Sequence, residues 1–258
     1  MATEERTDRP EPDAPRTDAG ERKGGDLSRK LICEFVGTFA LVFVGAGSIV
    51  ASQTVGGGVS GAGLVTVALA HGLVIATMVS AVGHISGGHF NPAVSIGAWV
   101  TQKMGFRDLG VYIAAQLAGA VAGAGVLRLA LPKGFWDSVA LGTPTISVSD
   151  GQAVLIEAVL TFFLVWVVYA TAIDPEGSFG KVAGLAIGFV ITMDIMMGGP
   201  FTGAAMNPAR ALGPALMTGT WGSQWVYWVG PIAGGVLAGT IYDLFILRRQ
   251  EPDPTVQL

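Results

Sequence analysis

Six apolar stretches, at residues 31–50, 64–83, 109–131, 153–173, 181–198 and 221–247, are each long enough to cross roughly 30 Å of hydrocarbon. In lipid every backbone N–H and C=O needs a partner within the protein, so a chain of this kind is expected to be an all-α membrane protein. Two segments break the pattern. Residues 84–101 and 199–220 carry too much Gly and Pro for a full span, yet are too apolar for a loop in water. Irregular backbone at membrane depth survives only where it is buried in protein or lines a wet cavity. Function is therefore expected at these two inserts.

Composition agrees. Of 258 residues 51% are hydrophobic and 13% charged, far below the charge of an ordinary soluble domain. The first thirty residues alone hold eight of the nineteen acids and seven of the fifteen bases. With almost nothing apolar, residues 1–30 are expected to form a disordered tail and not a signal peptide, since the apolar run begins only at Leu31. Residues 31–247 form the membrane domain, with halves at about 31–131 and 153–247, and 248–258 a short second tail. Arg29, Lys30, Lys103, Arg107, Lys181, Arg248 and Arg249 fall on one side if the spans alternate, against Arg128 and Lys133 on the other. The positive-inside rule puts both termini in the cytoplasm, with the chain in the cell (plasma) membrane. No basic face suggests nucleic acid, and the single cysteine, Cys33, excludes an intrachain disulfide. No Cys/His cluster has metal-ligand spacing, so no metal, cofactor or enzymatic activity is expected.

The two halves repeat. Glu34-Phe-Val-Gly-Thr-Phe-Ala-Leu-Val-Phe43 aligns with Glu157-Ala-Val-Leu-Thr-Phe-Phe-Leu-Val-Trp166. Ser86-Gly-Gly-His-Phe-Asn-Pro-Ala93 aligns with Thr202-Gly-Ala-Ala-Met-Asn-Pro-Ala209, and Val111-Tyr112 and Ala118-Gly119 with Val226-Tyr227 and Ala233-Gly234. Three spans per half is an odd number, so the second copy sits inverted, a design that usually places its site near the midplane. Each insert reads Asn-Pro-Ala and then a run able to form a short helix, at 93–100 and 209–217. Asn91 and Asn207 suit the N-cap, and Pro92 and Pro208 the first helical position. Inversion brings the two positive helix ends together at the centre, a place hostile to cations and open to the oxygen of a neutral molecule. The Asn amides are expected to donate hydrogen bonds into that space.

His89-Phe-Asn-Pro-Ala93-Val-Ser and Gly203-Ala-Ala-Met-Asn-Pro-Ala209-Arg-Ala-Leu-Gly-Pro resemble the paired signatures of the aquaporin (major intrinsic protein) family. The resemblance covers about residues 31–247, including Glu34-Phe-x-Gly-Thr-Phe, Gly83-His-Ile-Ser-Gly and Ala115-Gln116. It implies six transmembrane helices plus two re-entrant half-helices, one pore per chain, and a homotetramer in the bilayer. By position it also implies a constriction made by His71, Ile195, Ala204 and Arg210, a set similar to plant tonoplast intrinsic proteins. The stretch from Val168-Tyr-Ala-Thr-Ala-Ile-Asp-Pro through Gly198-Gly-Pro-Phe-Thr-Gly resembles the same proteins. An aliphatic and an alanine in place of bulkier groups widen such a filter. The resemblance then implies passage of water, with ammonia, hydrogen peroxide, urea and glycerol as further candidates and protons and ions excluded. Ile146 stands where some ammonia-conducting members have a loop histidine, which counts against ammonia.

Several residues carry further expectations. Glu34 and Glu157, at matching repeat positions, are read through the resemblance as acceptors for insert N–H groups, holding the half-helices still. A proton- or ion-coupled secondary transporter, the competing reading, would use them directly. His84 and His89 are expected to brace the first insert, and Asp194 to hydrogen-bond near the end of the fifth span. Cys33 lies away from the filter position sometimes held by Cys, here Ala204, so mercurials should inhibit weakly. Gly119, Gly123, Gly234 and Gly239 are expected to let helices approach closely in lipid.

Overall fold

The computed structural model describes residues 19–177 and 182–247, with side chains from Asp26 onward. Lys181, Arg248, Arg249, the tail before Ala19 and the segment 248–258 lie outside the described residues. Six helices are long and apolar enough to span a bilayer: Asp26–Thr54, Gly61–Ser86, Phe106–Ala130, Asp150–Ile173, Ala183–Thr202 and Val226–Leu247. Two half-helices, Pro92–Val100 and Pro208–Thr218, follow the second and fifth spans. Among the described residues none lies in a strand. The expected architecture is therefore present.

Boundaries moved for physical reasons. The first helix starts at Ala19, so residues 19–30 are helical and not part of a disordered tail. Helix nucleation is the costly step and elongation is cheap, so a polar flank prolongs a helix that membrane burial has already nucleated. Lys30 and Asp26, one turn apart, pair at 3.0 Å on that extension. The fifth span runs past the expected 198 to Thr202, accommodating Pro200 in its last turn. The second and fifth spans both end on a left-handed glycine, Gly87 at φ 87° and Gly203 at φ 79°. Only there does the chain leave the helix and turn back towards the centre, a backbone conformation that costs glycine nothing.

Lipid supplies no hydrophobic drive between helices, so the bundle depends on close backbone contact. The first span packs on the third, the fourth on the sixth, and the second on the fifth across the repeat. Gly119 and Gly123 of the third span sit on the carbonyls of Phe35 and Phe39, and Gly234, the repeat mate of Gly119, sits on that of Ala158. Gly239 faces the ring of Tyr169. The expected packing role holds at all four.

Gly234→Leu should overpack the seam between the fourth and sixth spans, costing about 1–3 kcal/mol. A lowered thermal midpoint of the detergent-solubilised protein is the expected result. Gly134→Leu, where nothing lies within 4 Å of the added Cβ, should leave it unchanged.

Candidate functional site

Each half-helix begins as its sequence dictates. Asn91 and Asn207 are extended N-caps with Pro next in the chain. The Asn91 side-chain oxygen accepts from the Ala93 N–H at 2.9 Å, and that of Asn207 from Ala209 at 3.0 Å and Arg210 at 3.2 Å. The two tips meet. Asn91 Nδ2 donates to the Met206 carbonyl at 2.8 Å, and Asn207 Nδ2 to the Phe90 carbonyl at 2.9 Å. Each insert therefore caps the other. An amide nitrogen carries two hydrogens, so one remains on each Asn for the lumen they line.

The loops that deliver these caps are strained and held. Phe90 and Met206 have φ of 49° and 51°, and Ala204 of 44°, unfavourable for residues with a Cβ. Glu34 Oε2 accepts from the Phe90 N–H at 2.7 Å, and Oε1 from His89 N–H at 3.0 Å and Ser86 at 2.8 Å. Glu157 does the same for the other loop, accepting from Met206 and Ala205 N–H groups at 2.7 and 2.9 Å and from Thr202 at 2.7 Å. Both glutamates are fully buried. Tyr112 and Tyr227 complete the pattern, each donating to the last carbonyl of a neighbouring span, Ser86 at 2.9 Å and Thr202 at 2.8 Å. Gln116 ties Glu34 to Ser95 of the first half-helix, at 2.8 and 3.0 Å. The sequence signalled the tyrosines and the Ser86/Thr202 pair only as repeat matches. Their roles as anchors come from the structure.

His71, Ile195, Ala204 and Arg210 come together, all at most 3% exposed, around a lumen of about 40 Å³ that also reaches Asn91 and Asn207. That is room for a short file of waters, since one needs roughly 10–15 Å³ on this kind of measure. A wider vestibule of about 290 Å³ opens beyond Ile195 and Arg210, lined by Thr143, Pro144 and Thr145 among others. His71 Nδ1 lies 2.9 Å from the Val67 carbonyl, which can only accept, so Nδ1 carries the proton. Nε2 is then a bare acceptor for the Arg210 guanidinium at 3.3 Å.

Arg210 also donates to the Gly142 carbonyl at 2.9 Å. Ala140, Leu141 and Gly142, at φ of 44°, 56° and 75°, form a left-handed strap that turns this carbonyl inwards. Leu141, fully buried among Val42, Ala46 and Val50, pins the strap down. No sequence signal marked Gly142. A buried arginine costs roughly 2.5–3.5 kcal/mol on an insertion scale, and hydrogen bonds to a charged group return about 1.5–3 kcal/mol each. Two such bonds offset much of that cost, and the buried Glu157 carboxylate adds electrostatic attraction to the charge. The Arg210 Nε hydrogen has no partner among the described residues.

Two expectations need correcting. His84 is exposed on the last turn of the second span and does not brace the insert. His89 does, through Ser95 at 3.0 Å and the ring of Tyr112. Asp194 is buried beside Ile195, but its Oδ2 lacks the expected hydrogen bond among the described residues, and nothing in the structure explains it. Ile146 packs with Ala205, Ala211 and Tyr227 in a small apolar cluster. Cys33 is buried within the first span, away from the residues lining the lumen.

Against known proteins, residues 21–242 match the model of the major intrinsic protein family. The chain is 44% identical over 229 residues to "Aquaporin TIP4-4" of Zea mays, covering 88% of this chain and 90% of the relative. It is 45% identical over 248 residues to "Probable aquaporin TIP3-2" of Arabidopsis thaliana, covering 92% and 90%. Its fold matches the solved structure of an aquaglyceroporin from Plasmodium falciparum with a TM-score of 0.75 at 28% identity, covering 86% of this chain and 98% of that one. Paired Asn-capped half-helices, buried glutamates and this breadth of likeness agree: the chain is a multi-pass membrane protein that belongs to the major intrinsic protein family.

Proposed function

We propose that this chain is a passive channel for water and small uncharged solutes that turns back protons and ions. The observation that carries the reading is the meeting of two Asn-capped helix ends inside a narrow lumen. Two positive dipole ends face each other there, and each Asn keeps one hydrogen for a passing oxygen. A water at that point accepts from both amides and must direct its own hydrogens away along the pore. On either side the file then points in opposite directions, and the hydrogen-bonded wire that a proton would follow is broken, as for aquaporin-type pores in general. Glu34 and Glu157 serve as scaffold, their acceptor capacity spent on loop N–H groups. That use supports a channel over a proton-coupled transporter.

The filter reading assigns His71, Ile195, Ala204 and Arg210 to solute choice. Arg210 contributes a fixed positive charge that repels cations. Ile195 and Ala204 leave width for hydrogen peroxide, urea or glycerol behind water. Ile146, packed into an apolar cluster, gives ammonia no polar handle. Water enters from both mouths, and we place both termini in the cytoplasm on the distribution of Lys and Arg. The matched relatives are named as tonoplast-type channels and lend no support to a plasma membrane. The outward faces of the second and fifth spans carry large apolar groups such as Leu73, Phe189 and Met197, surface suited to a homotetramer.

Stopped-flow swelling of proteoliposomes should show water flux well above that of empty vesicles, with a low activation energy, and solute uptake indifferent to an imposed proton gradient. A dependence of uptake on that gradient would favour the transporter. Arg210→Val should raise urea relative to water flux and admit monovalent cations; an unchanged ratio contradicts the filter assignment. Glu157→Ala strips the second loop of its acceptor and leaves two buried N–H groups unpaired, at about 1–3 kcal/mol each. Loss of folded protein or of nearly all water flux is expected. Mercury(II) should inhibit weakly, since Cys33 lies off the lumen. Native mass measurement should give four chains per particle.

A further inference from the structure

The first span contains a π-helical turn, Leu41–Ala46, at the level of the filter. Gly45 lies in that turn and its missing side chain faces the ring of His71. A Cβ there would stand 2.7 Å from both Cδ2 and Nε2, closer than real Cβ contacts come, and 3.1 Å from Cγ. The imidazole thus lies against bare backbone. It cannot yield by simple rotation, because Nδ1 is held by Val67 and Nε2 by Arg210.

The inverted repeat supplies an internal control. With Glu34 matched to Glu157, Gly45 corresponds to Val168; with Ser86 matched to Thr202, His71 corresponds to Ile187. Val168 and Ile187 line the same lumen and belong to one apolar cluster. The fold therefore accepts a β-branched side chain at this place in the repeat, where the neighbouring group is aliphatic. Glycine at 45 answers to the histidine and not to the helix bundle.

We propose that Gly45 is a specificity-determining positioning residue, which seats the His71 ring against the first span and so sets the width of the filter and the bond from His71 to Arg210. This rests on the filter reading above. With the ring displaced, His71 has only the lumen to enter, and Arg210 loses one of its two acceptors.

The test is a cycle of Gly45→Ala, His71→Ala and the double variant, with water and urea permeability measured by stopped flow in proteoliposomes at matched protein content. Gly45→Ala alone should lower water flux about tenfold, the scale of one lost hydrogen bond to a charged group, and urea flux by more. His71→Ala should raise the urea-to-water ratio. The double variant should match His71→Ala, because the three atoms nearest the added methyl all belong to the ring. Should Gly45→Ala fail to fold, recovery of folded protein in the double variant supports the same coupling. Equal losses from Gly45→Ala with and without His71, whether in flux or in folding, would show a general packing role and overturn the inference. An unchanged ratio in His71→Ala alone would instead sink the filter reading, and any selectivity role of Gly45 with it.

Discussion

Two side-chain amides crossing a midplane hold this molecule's function together. Asn91 and Asn207 each cap their own half-helix through oxygen and grip the opposite insert through nitrogen. Neither half-helix, at nine and eleven residues, would be stable alone in water. Here each is capped, buried and fixed to its mate, so two helix dipoles that would repel end to end are kept in register. The opposing cost is borne by the loops. Three non-glycine residues sit at positive φ, at about 1–3 kcal/mol each, and the buried glutamates offset that strain with a cluster of charge-assisted bonds.

From that symmetric waist the pore becomes asymmetric. The mates of His71, Ala204 and Arg210 in the inverted half are Ile187, Gly88 and Val94, all lining the same lumen. One side of the waist therefore offers ring nitrogen and guanidinium, and the other offers aliphatic wall and backbone beside the ring of His89. On the proposed filter reading, a solute exchanges hydration for contacts with His71 and Arg210 on the first of these sides. Choice between solutes can then be altered there without disturbing the scaffold, which both halves share. The Gly142 strap belongs to this asymmetry. It supplies a carbonyl that accepts from the buried Arg210 guanidinium.

Much of this was legible because membrane burial leaves few options. Apolar length fixed the spans, the odd repeat fixed the inversion, and Asn-Pro-Ala named both cap and first helical residue. The four filter positions followed from resemblance and converge in space. What stayed hidden depends on contacts without a local pattern. Gly142 is one of many glycines, and its importance lies in a carbonyl 68 residues from Arg210 in sequence. Gln116 has Pro231 as its repeat mate, so repetition could not reveal its bond to Glu34. His84 misled because proximity in sequence to the insert does not fix the side of the helix it occupies. The start of the first helix was misplaced because composition reports what a segment can bury, not what an adjoining helix can propagate.

The central claim is that a continuous file of water crosses the waist without a continuous path for protons. Water permeability and proton leak measured in the same vesicles, with a trapped pH-sensitive dye and an imposed pH step, test it most directly. The account predicts rapid osmotic swelling with acidification no faster than in vesicles lacking the protein. Acidification that rises in step with protein content and water flux would contradict it.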